Sequence, residues 1–263
     1  MLLKDKVAVV VGGGQTPGES IGNGRATAIQ FAREGAVVLV GDRNVESAED
    51  TAKIIVEEGG EALAMTVDVT LEESIAAFIG YCYDTWGRID VLHNNVGVSL
   101  AGGDAVIEDI TVEAFDRLVN VNLRGMVLAC KHSLPRMREA ERGVIINISS
   151  MAAWRPYQFV GYKTTKAGVI ALTEQLAQSN ARYGIRANVI LPGLMNTPMA
   201  VESRITASKS REEVIAERDR RVPLGRKMGT AWDVAHAAAF LASDRAGFIT
   251  GVALPVDGGA SVS

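Results

Sequence analysis

Short runs of β-branched residues alternate along this chain with longer stretches whose apolar positions recur three and four apart. Residues 7–11, 37–40, 62–67, 91–93, 144–148, 186–190 and 251–255 have strand length and are predominantly apolar on both faces. Such strands need cover on both sides, as in a parallel sheet wrapped by helices. Residues 25–34, 46–58, 74–85, 114–138, 162–183 and 231–242 have the helical pattern that supplies it. About seven strands alternating with helices predict an α/β fold, a doubly wound parallel sheet forming a single domain over residues 1–263. Residues 199–222 break the alternation. They are charged and helical in pattern, no strand matches them, and they predict a lid over a substrate site.

Composition narrows the classes of partner. With 263 residues, 48% of them hydrophobic, the chain can bury a continuous core. A net charge of -4, with both signs interspersed, argues against nucleic acid or an anionic membrane as the main partner. No apolar run approaches the roughly 20 residues that span a bilayer. Residues 1–6 lack a signal-peptide pattern, so a cytoplasmic protein is expected. Cys82 and Cys130 lie in apolar helical surroundings and are expected to be buried free thiols. His93, His132 and His236 have no partners at ligand spacing, so no metal is expected, and His93 is expected to be packed.

The chemistry begins where the first strand ends. It runs into Gly12-Gly13-Gly14 and a long turn through Ser20-Ile21-Gly22-Asn23-Gly24, after which a helix opens near Arg25. Glycines there let backbone approach a pyrophosphate, and the helix N-terminus favours its charge, which makes the fold Rossmann-type. No Gly-Lys-Ser/Thr follows, which argues against a nucleoside triphosphate loop. Asp42, after the second strand, can accept from both ribose hydroxyls and would repel a 2′-phosphate. NAD is therefore expected over NADP, with Arg43 as the neighbour that could instead pair with that phosphate.

Tyr162 and Lys166 stand four apart on one helix face. A phenol titrates near pH 10, so it needs a nearby cation to act as a base at neutral pH. Ser149-Ser150 closes the strand just before this helix, where a hydroxyl can hold a substrate carbonyl. Asn122 is an amide inside an otherwise apolar helix and needs a buried partner, a proton-relay water being one.

These residues together resemble the short-chain dehydrogenase/reductase family over essentially the whole chain. Asn122, Ser150, Tyr162 and Lys166 fall at its Asn-Ser-Tyr-Lys tetrad. Asp68-Val69 resembles the adenine-contacting pair, and Asn94-Asn95-Val96-Gly97 is similar to the Asn-Asn-Ala-Gly motif. Pro192-Gly193 and Thr197 resemble the segment holding the nicotinamide carboxamide. Pro223-Leu224-Gly225-Arg226, Thr250-Gly251 and Val256-Asp257-Gly258-Gly259 are similar to its closing motifs.

The resemblance implies hydride transfer between a nicotinamide and a secondary alcohol or ketone, in a homotetramer. Two departures stand out. If Gly12, Gly22 and Gly24 are the motif glycines, about six residues are inserted in the turn, and Gln15 or Ser20 is expected to hydrogen-bond the pyrophosphate. The loop before Tyr162 is one residue short: counting back selects Ser149, whereas the strand, the firmer anchor, selects Ser150. Trp154, Tyr157, Met195 and Met199 flank the cleft, either as pocket lining or as loop and interface residues. The charges of residues 204–221 suit a solvated lid helix as well as an anionic substrate. A nonenzymatic dinucleotide sensor, an NADP-preferring carbonyl reductase and a methyltransferase are the competing readings.

Overall fold

A computed structural model describes residues 1–263. Seven parallel strands form one sheet in the order β3-β2-β1-β4-β5-β6-β9. They are β1 (Val7–Val11), β2 (Val37–Asp42), β3 (Glu61–Thr66), β4 (Val91–Asn94), β5 (Gly143–Ile148), β6 (Ile185–Pro192) and β9 (Ala253–Val256). The predicted strands are thus all present, in the α/β class expected. A short pair, β7 (Met195–Asn196) and β8 (Gly229–Thr230), lies apart and brackets the charged segment.

Side-chain alternation along β1 shows why its whole run is apolar. Ala8 and Val10 enter a core on one face with Ile29 and Phe31 of α1 (Asn23–Arg33), Ile55 of α2 (Val45–Glu57) and Val234 and Ala238 of α9 (Ala231–Ala242). Val7, Val9 and Val11 enter the opposite core with Phe78 of α3 (Glu72–Trp86) and Leu134 and Met137 of α5 (Gly125–Glu139). Successive strand residues point to opposite faces, so neither face tolerates a polar side chain. Cys82 and Cys130 are buried free thiols in the second core. His93 is fully buried, edge-on to Phe31, and neither ring nitrogen has a partner. No helix is long and apolar enough to cross a membrane.

The stretch predicted as one helix over residues 114–138 is built differently. It consists of α4 (Val112–Val119), a π turn at Asn120–Arg124, and α5. A π turn widens the helix by one residue and commonly marks a functional position, and no local sequence pattern announces it. Here it carries Asn122. Residues 199–222, expected to form a lid, hold most of α7 (Pro198–Val201) and all of α8 (Arg211–Asp219), the latter opened by a Ser210–Glu213 capping box. The chain reverses its winding between β1 and β4, which opens a crevice at the carboxyl ends of those strands.

Candidate active site

The glycine turn sits at that crevice. Gly12 has φ 85°, and a Cβ there would meet Val96 at 2.7 Å. A Cβ on Gly24 would lie 1.8 Å from the Gly12 carbonyl oxygen, so α1 can pack this closely only with glycine. Asn95 fixes the same turn by donating Nδ2–H to the Gly12 carbonyl at 2.9 Å. The extension closes on itself: Gln15 Oε1 accepts from Gly22 N at 3.1 Å, and Gln15 N donates to Ser47 Oγ at 2.9 Å. Ile21 packs against Ala26, Ala231 and Ala235. Ser20 Oγ and Asn23 Oδ1 are buried beside the helix N-terminus without a hydrogen-bond partner. A Ser20 hydroxyl free to donate and a cradle that admits no Cβ fit a phosphate-bearing ligand at this end.

Asp42 Oδ2 accepts from Gly14 N at 3.1 Å, and Oδ1 accepts from Asn44 N at 3.1 Å. A carboxylate has about four acceptor sites, so capacity remains for ribose hydroxyls. Arg43 is exposed, and its charge acts on Asp68. Asp68 opposes its own burial by accepting from the Thr70 hydroxyl at 2.7 Å and from Thr70 N at 2.9 Å, and its carboxyl titrates below the usual range. Val69 is buried against Gly125. At the other end of the crevice Pro192 terminates β6, and Gly193 N donates to the Val256 carbonyl at 2.9 Å. Thr197 caps α7 through its backbone, leaving its buried side chain without a hydrogen bond to the protein.

The catalytic candidates converge from three elements. Tyr162 and Lys166 lie on α6 (Val160–Asn180), one turn apart, with Nζ 5.7 Å from the phenol ring centre. Lys166 is 2% exposed, and Nζ donates to the Ile148 carbonyl at the end of β5 at 2.8 Å. Burial pulls its pKa down to about 7. Tyr162 keeps an accessible edge in the crevice, but crowding around the phenol pushes its pKa up to about 12, against the pull of the Ser150 hydroxyl. Lys166 Nζ lies over the phenol ring but spends its hydrogen bond on the Ile148 carbonyl, and the expected lowering by Lys166 is absent from the protein alone.

Ser149 and Ser150 face opposite ways. Ser149 is buried and donates Oγ–H to the Lys166 carbonyl at 2.6 Å. Ser150 Oγ accepts from Ala152 N at 3.1 Å and neighbours the Tyr162 phenol. Asn122 finds its partners without water: Oδ1 accepts from Val98 N at 2.7 Å, and Nδ2 donates to the Val98 carbonyl at 2.9 Å and to Thr165 Oγ1 at 3.1 Å. This holds Gly97 against Lys166, where an added Cβ would sit 2.9 Å from Nζ. Tyr157 leans on Tyr162 with ring centres 5.7 Å apart and reaches Ser99 Oγ at 3.2 Å. Met195 is buried, whereas Trp154 and Met199 are exposed.

One residue of this site is invisible to pattern reading. Asp104 is buried in the loop after β4 and accepts from Gly161 N at 2.8 Å and from Tyr162 N at 3.0 Å. The carboxylate thereby caps α6 from 58 residues away and fixes the residue that carries the phenol. Phe159, the local N-cap, offers no side-chain acceptor. The absence of Ser, Thr, Asp or Asn there was the available signal that a cap must come from elsewhere.

A family model described as Enoyl-(Acyl carrier protein) reductase matches residues 18–261. The 2,5-dichloro-2,5-cyclohexadiene-1,4-diol dehydrogenase LinX of Sphingobium indicum is 37% identical over 261 residues, covering 99% of this chain and 98% of its own. The cis-4-hydroxycyclohexanecarboxylate dehydrogenase of Sinomonas cyclohexanicum is 38% identical over 256 residues, with 97% and 96% covered. The crystal structure of a Burkholderia xenovorans protein ascribed to the short-chain dehydrogenases/reductases superposes with a TM-score of 0.90 at 36% identity, covering 99% of this chain and 98% of that one. The chain belongs to the short-chain dehydrogenase/reductase family, whose chemistry is oxidoreduction of CH–OH and carbonyl groups with a nicotinamide dinucleotide.

Proposed function

We propose that the chain is an NAD-dependent dehydrogenase of cyclic secondary alcohols, running in either direction, with Tyr162 as the acid/base. The observation that carries this reading is the convergence of the Ser150 hydroxyl, the Tyr162 phenol and the buried Lys166 ammonium at the carboxyl end of β5. Asp42 supports NAD, since its charge at the ribose position opposes a 2′-phosphate. The names of the two relatives, a cyclohexadienediol and a hydroxycyclohexanecarboxylate dehydrogenase, support a six-membered carbocycle bearing the hydroxyl.

Gly12, Ser20, Gly22, Asn23 and Gly24 would hold the pyrophosphate, Asp42 the ribose, and Asp68 and Val69 the adenine. Asn95, Val96 and Gly97 would line the middle of the dinucleotide, and Pro192, Gly193 and Thr197 its nicotinamide end. The bound dinucleotide supplies the hydride acceptor or donor and, when oxidised, a positive charge. Ser150 orients the substrate oxygen by donating to it. At neutral pH a phenol of pKa about 12 is protonated, so Tyr162 can donate to a ketone oxygen as it becomes an alcohol. In the oxidative direction it must take the alcohol proton, which requires added positive charge nearby. Lys166 in its protonated form supplies part of that charge from one turn below. Asn122 positions Gly97 and Val98 against Lys166 and so sets the ammonium's place.

The test is a panel of cyclic alcohols and ketones followed at the NADH absorbance band, run with each dinucleotide. Turnover with NAD at an efficiency well above that with NADP is expected. A preference for NADP would overturn the assignment of Asp42, and no turnover with any alcohol or ketone would overturn the activity.

A further inference from the structure

Helix α8 turns one charge inward where its pattern asks for an apolar residue. Arg211, Val214 and Arg218 recur three and four apart on one face. Val214 is 1% exposed and packs with Val201, Val222 and Met228 under the lid segment. Arg218, one turn further, is 8% exposed. Its one hydrogen bond runs from Nε to the Met228 thioether sulfur at 3.3 Å.

No carboxylate pairs with it. Glu202 is taken by Arg211 at 3.3 Å, Glu217 is paired with Lys209, and Asp219 accepts from Met228 N at 2.8 Å. Two other arginines drawn into the fold have oxygen partners. Arg186 donates to the carbonyls of Leu241, Ile249 and Ser243, and Arg25 donates to Thr51 Oγ1 and Ser47. Neither terminal nitrogen of Arg218 has a protein partner and neither is sealed from solvent, which leaves the end of the guanidinium open to an anion. Arg204, on the turn after α7, adds a second positive charge within electrostatic range, and burial together with Arg204 and Arg221 depresses the Arg218 pKa to about 10.

Two electrostatic couplings tie these charges to the site. Arg218 feels the Tyr157 hydroxyl, Arg204 acts on the Tyr162 phenol, and the two aromatic rings lie 5.7 Å apart. The two cations therefore stand within electrostatic range of the aromatic pair beside the acid/base.

We propose that Arg218, assisted by Arg204, binds an anionic group of the substrate, so that the enzyme takes a hydroxy or keto acid with its carbinol carbon at Tyr162 and its carboxylate under the lid. This rests on the reading of the site as an alcohol dehydrogenase. A bidentate guanidinium–carboxylate pair matches the free fork of Arg218.

The experiment compares hydroxycyclohexanecarboxylates, with the hydroxyl at each ring position, against their methyl esters in the NAD-loaded enzyme. Wild type is expected to prefer the best acid over its ester by about 30-fold in kcat/KM, the scale of one or two charge-assisted hydrogen bonds. In Arg218→Met that ratio falls to about one, in Arg218→Lys it falls part of the way, and in the exposed Arg220→Met it is retained. Calorimetric titration of cyclohexanecarboxylate, with cyclohexanecarboxamide as the neutral control, gives a readout that needs no turnover. Only the acid is expected to bind, and Arg218→Met abolishes that. Equal efficiency for acid and ester in wild type, or an unchanged ratio in Arg218→Met, overturns the subsite while leaving the dehydrogenase reading intact. So does a rise in the KM for NAD that is the same with acid and ester, which would give the guanidinium to the cofactor. Carboxylate binding lost in Arg218→Met without turnover of any alcohol or ketone overturns the dehydrogenase reading and supports the subsite.

Discussion

Removing the Asp104 carboxylate should loosen the helix that carries the phenol. In Asp104→Ala, Gly161 N and Tyr162 N lose bonds of 2.8 and 3.0 Å, and Ser99 Oγ loses one of 3.2 Å. Gly161 is buried and so is its bond to Asp104, so its orphaned N–H bears most of the desolvation cost, whereas the bond to Tyr162 N is only partly buried. Ser99 keeps Tyr157 as a partner. Taking about 2 kcal/mol for the buried N–H, about 1 for the partly buried one and under 1 for the lost charge at the helix N-terminus gives about 3–4 kcal/mol. Asp104→Asn keeps one acceptor oxygen but places an N–H where the second was, so about 1–2 kcal/mol is expected. Activity should fall further than stability implies, because Tyr162 is itself a capped residue and an ångström of misplacement costs about 100-fold. Urea unfolding at constant slope reads the first effect, and kcat on a cyclic alcohol reads the second. If Asp104→Ala unfolds within about 0.5 kcal/mol of wild type and turns over within threefold, the carboxylate does not hold α6.

Three further outcomes follow from the same geometry. Lys166 is protonated when unfolded below about pH 10.5 but has a folded pKa of about 7, so its burial disfavours the fold increasingly as pH falls between those values. Lys166→Met should therefore be inactive yet melt higher than wild type near pH 7, with the gap closing toward pH 10; a gap independent of pH would refute the assignment. Ser150→Ala should cut kcat by at least about 100-fold, as loss of an oxygen-orienting donor does, whereas Ser149→Ala should cost about 1 kcal/mol of stability and leave kcat within a few fold. The reverse pattern would transfer the role to Ser149. His93 has its pKa lowered to about 3 by burial, so the stability it permits at neutral pH is lost as pH falls below about 6.5. His93→Leu should flatten the melting temperature between about pH 6.5 and pH 4, and an unchanged acid slope would show that another group governs it.

The sheet was legible because its determinants are local. Most strands bury both faces, so β1 reads as an unbroken apolar run and β5 and β6 as largely apolar ones, and Tyr162 and Lys166 share a helix face at fixed spacing. What stayed hidden depends on contacts between distant segments. Asp104 acts on α6 across 58 residues, and nothing around it distinguishes it from a solvated loop acid. The π turn at Asn122 depends on Val98 and Thr165, which meet only in the fold. The extended glycine turn reads as an insertion, yet it docks on the lid, where Arg211 reaches Glu19 at 3.1 Å as well as Glu202. Among the charges of residues 204–221, a helical count alone gives no reason to single out Arg218, since its burial depends on how α8 lies over Met228.

The central claim is that Tyr162 moves the substrate proton. Its most direct test is kcat for wild type and Tyr162→Phe on one alcohol with NAD, alongside the dissociation constant for NADH from fluorescence titration. The phenyl ring preserves packing against Tyr157, so cofactor affinity should stay within a few fold while kcat falls by at least about 1,000-fold. Turnover in Tyr162→Phe within tenfold of wild type would contradict the account.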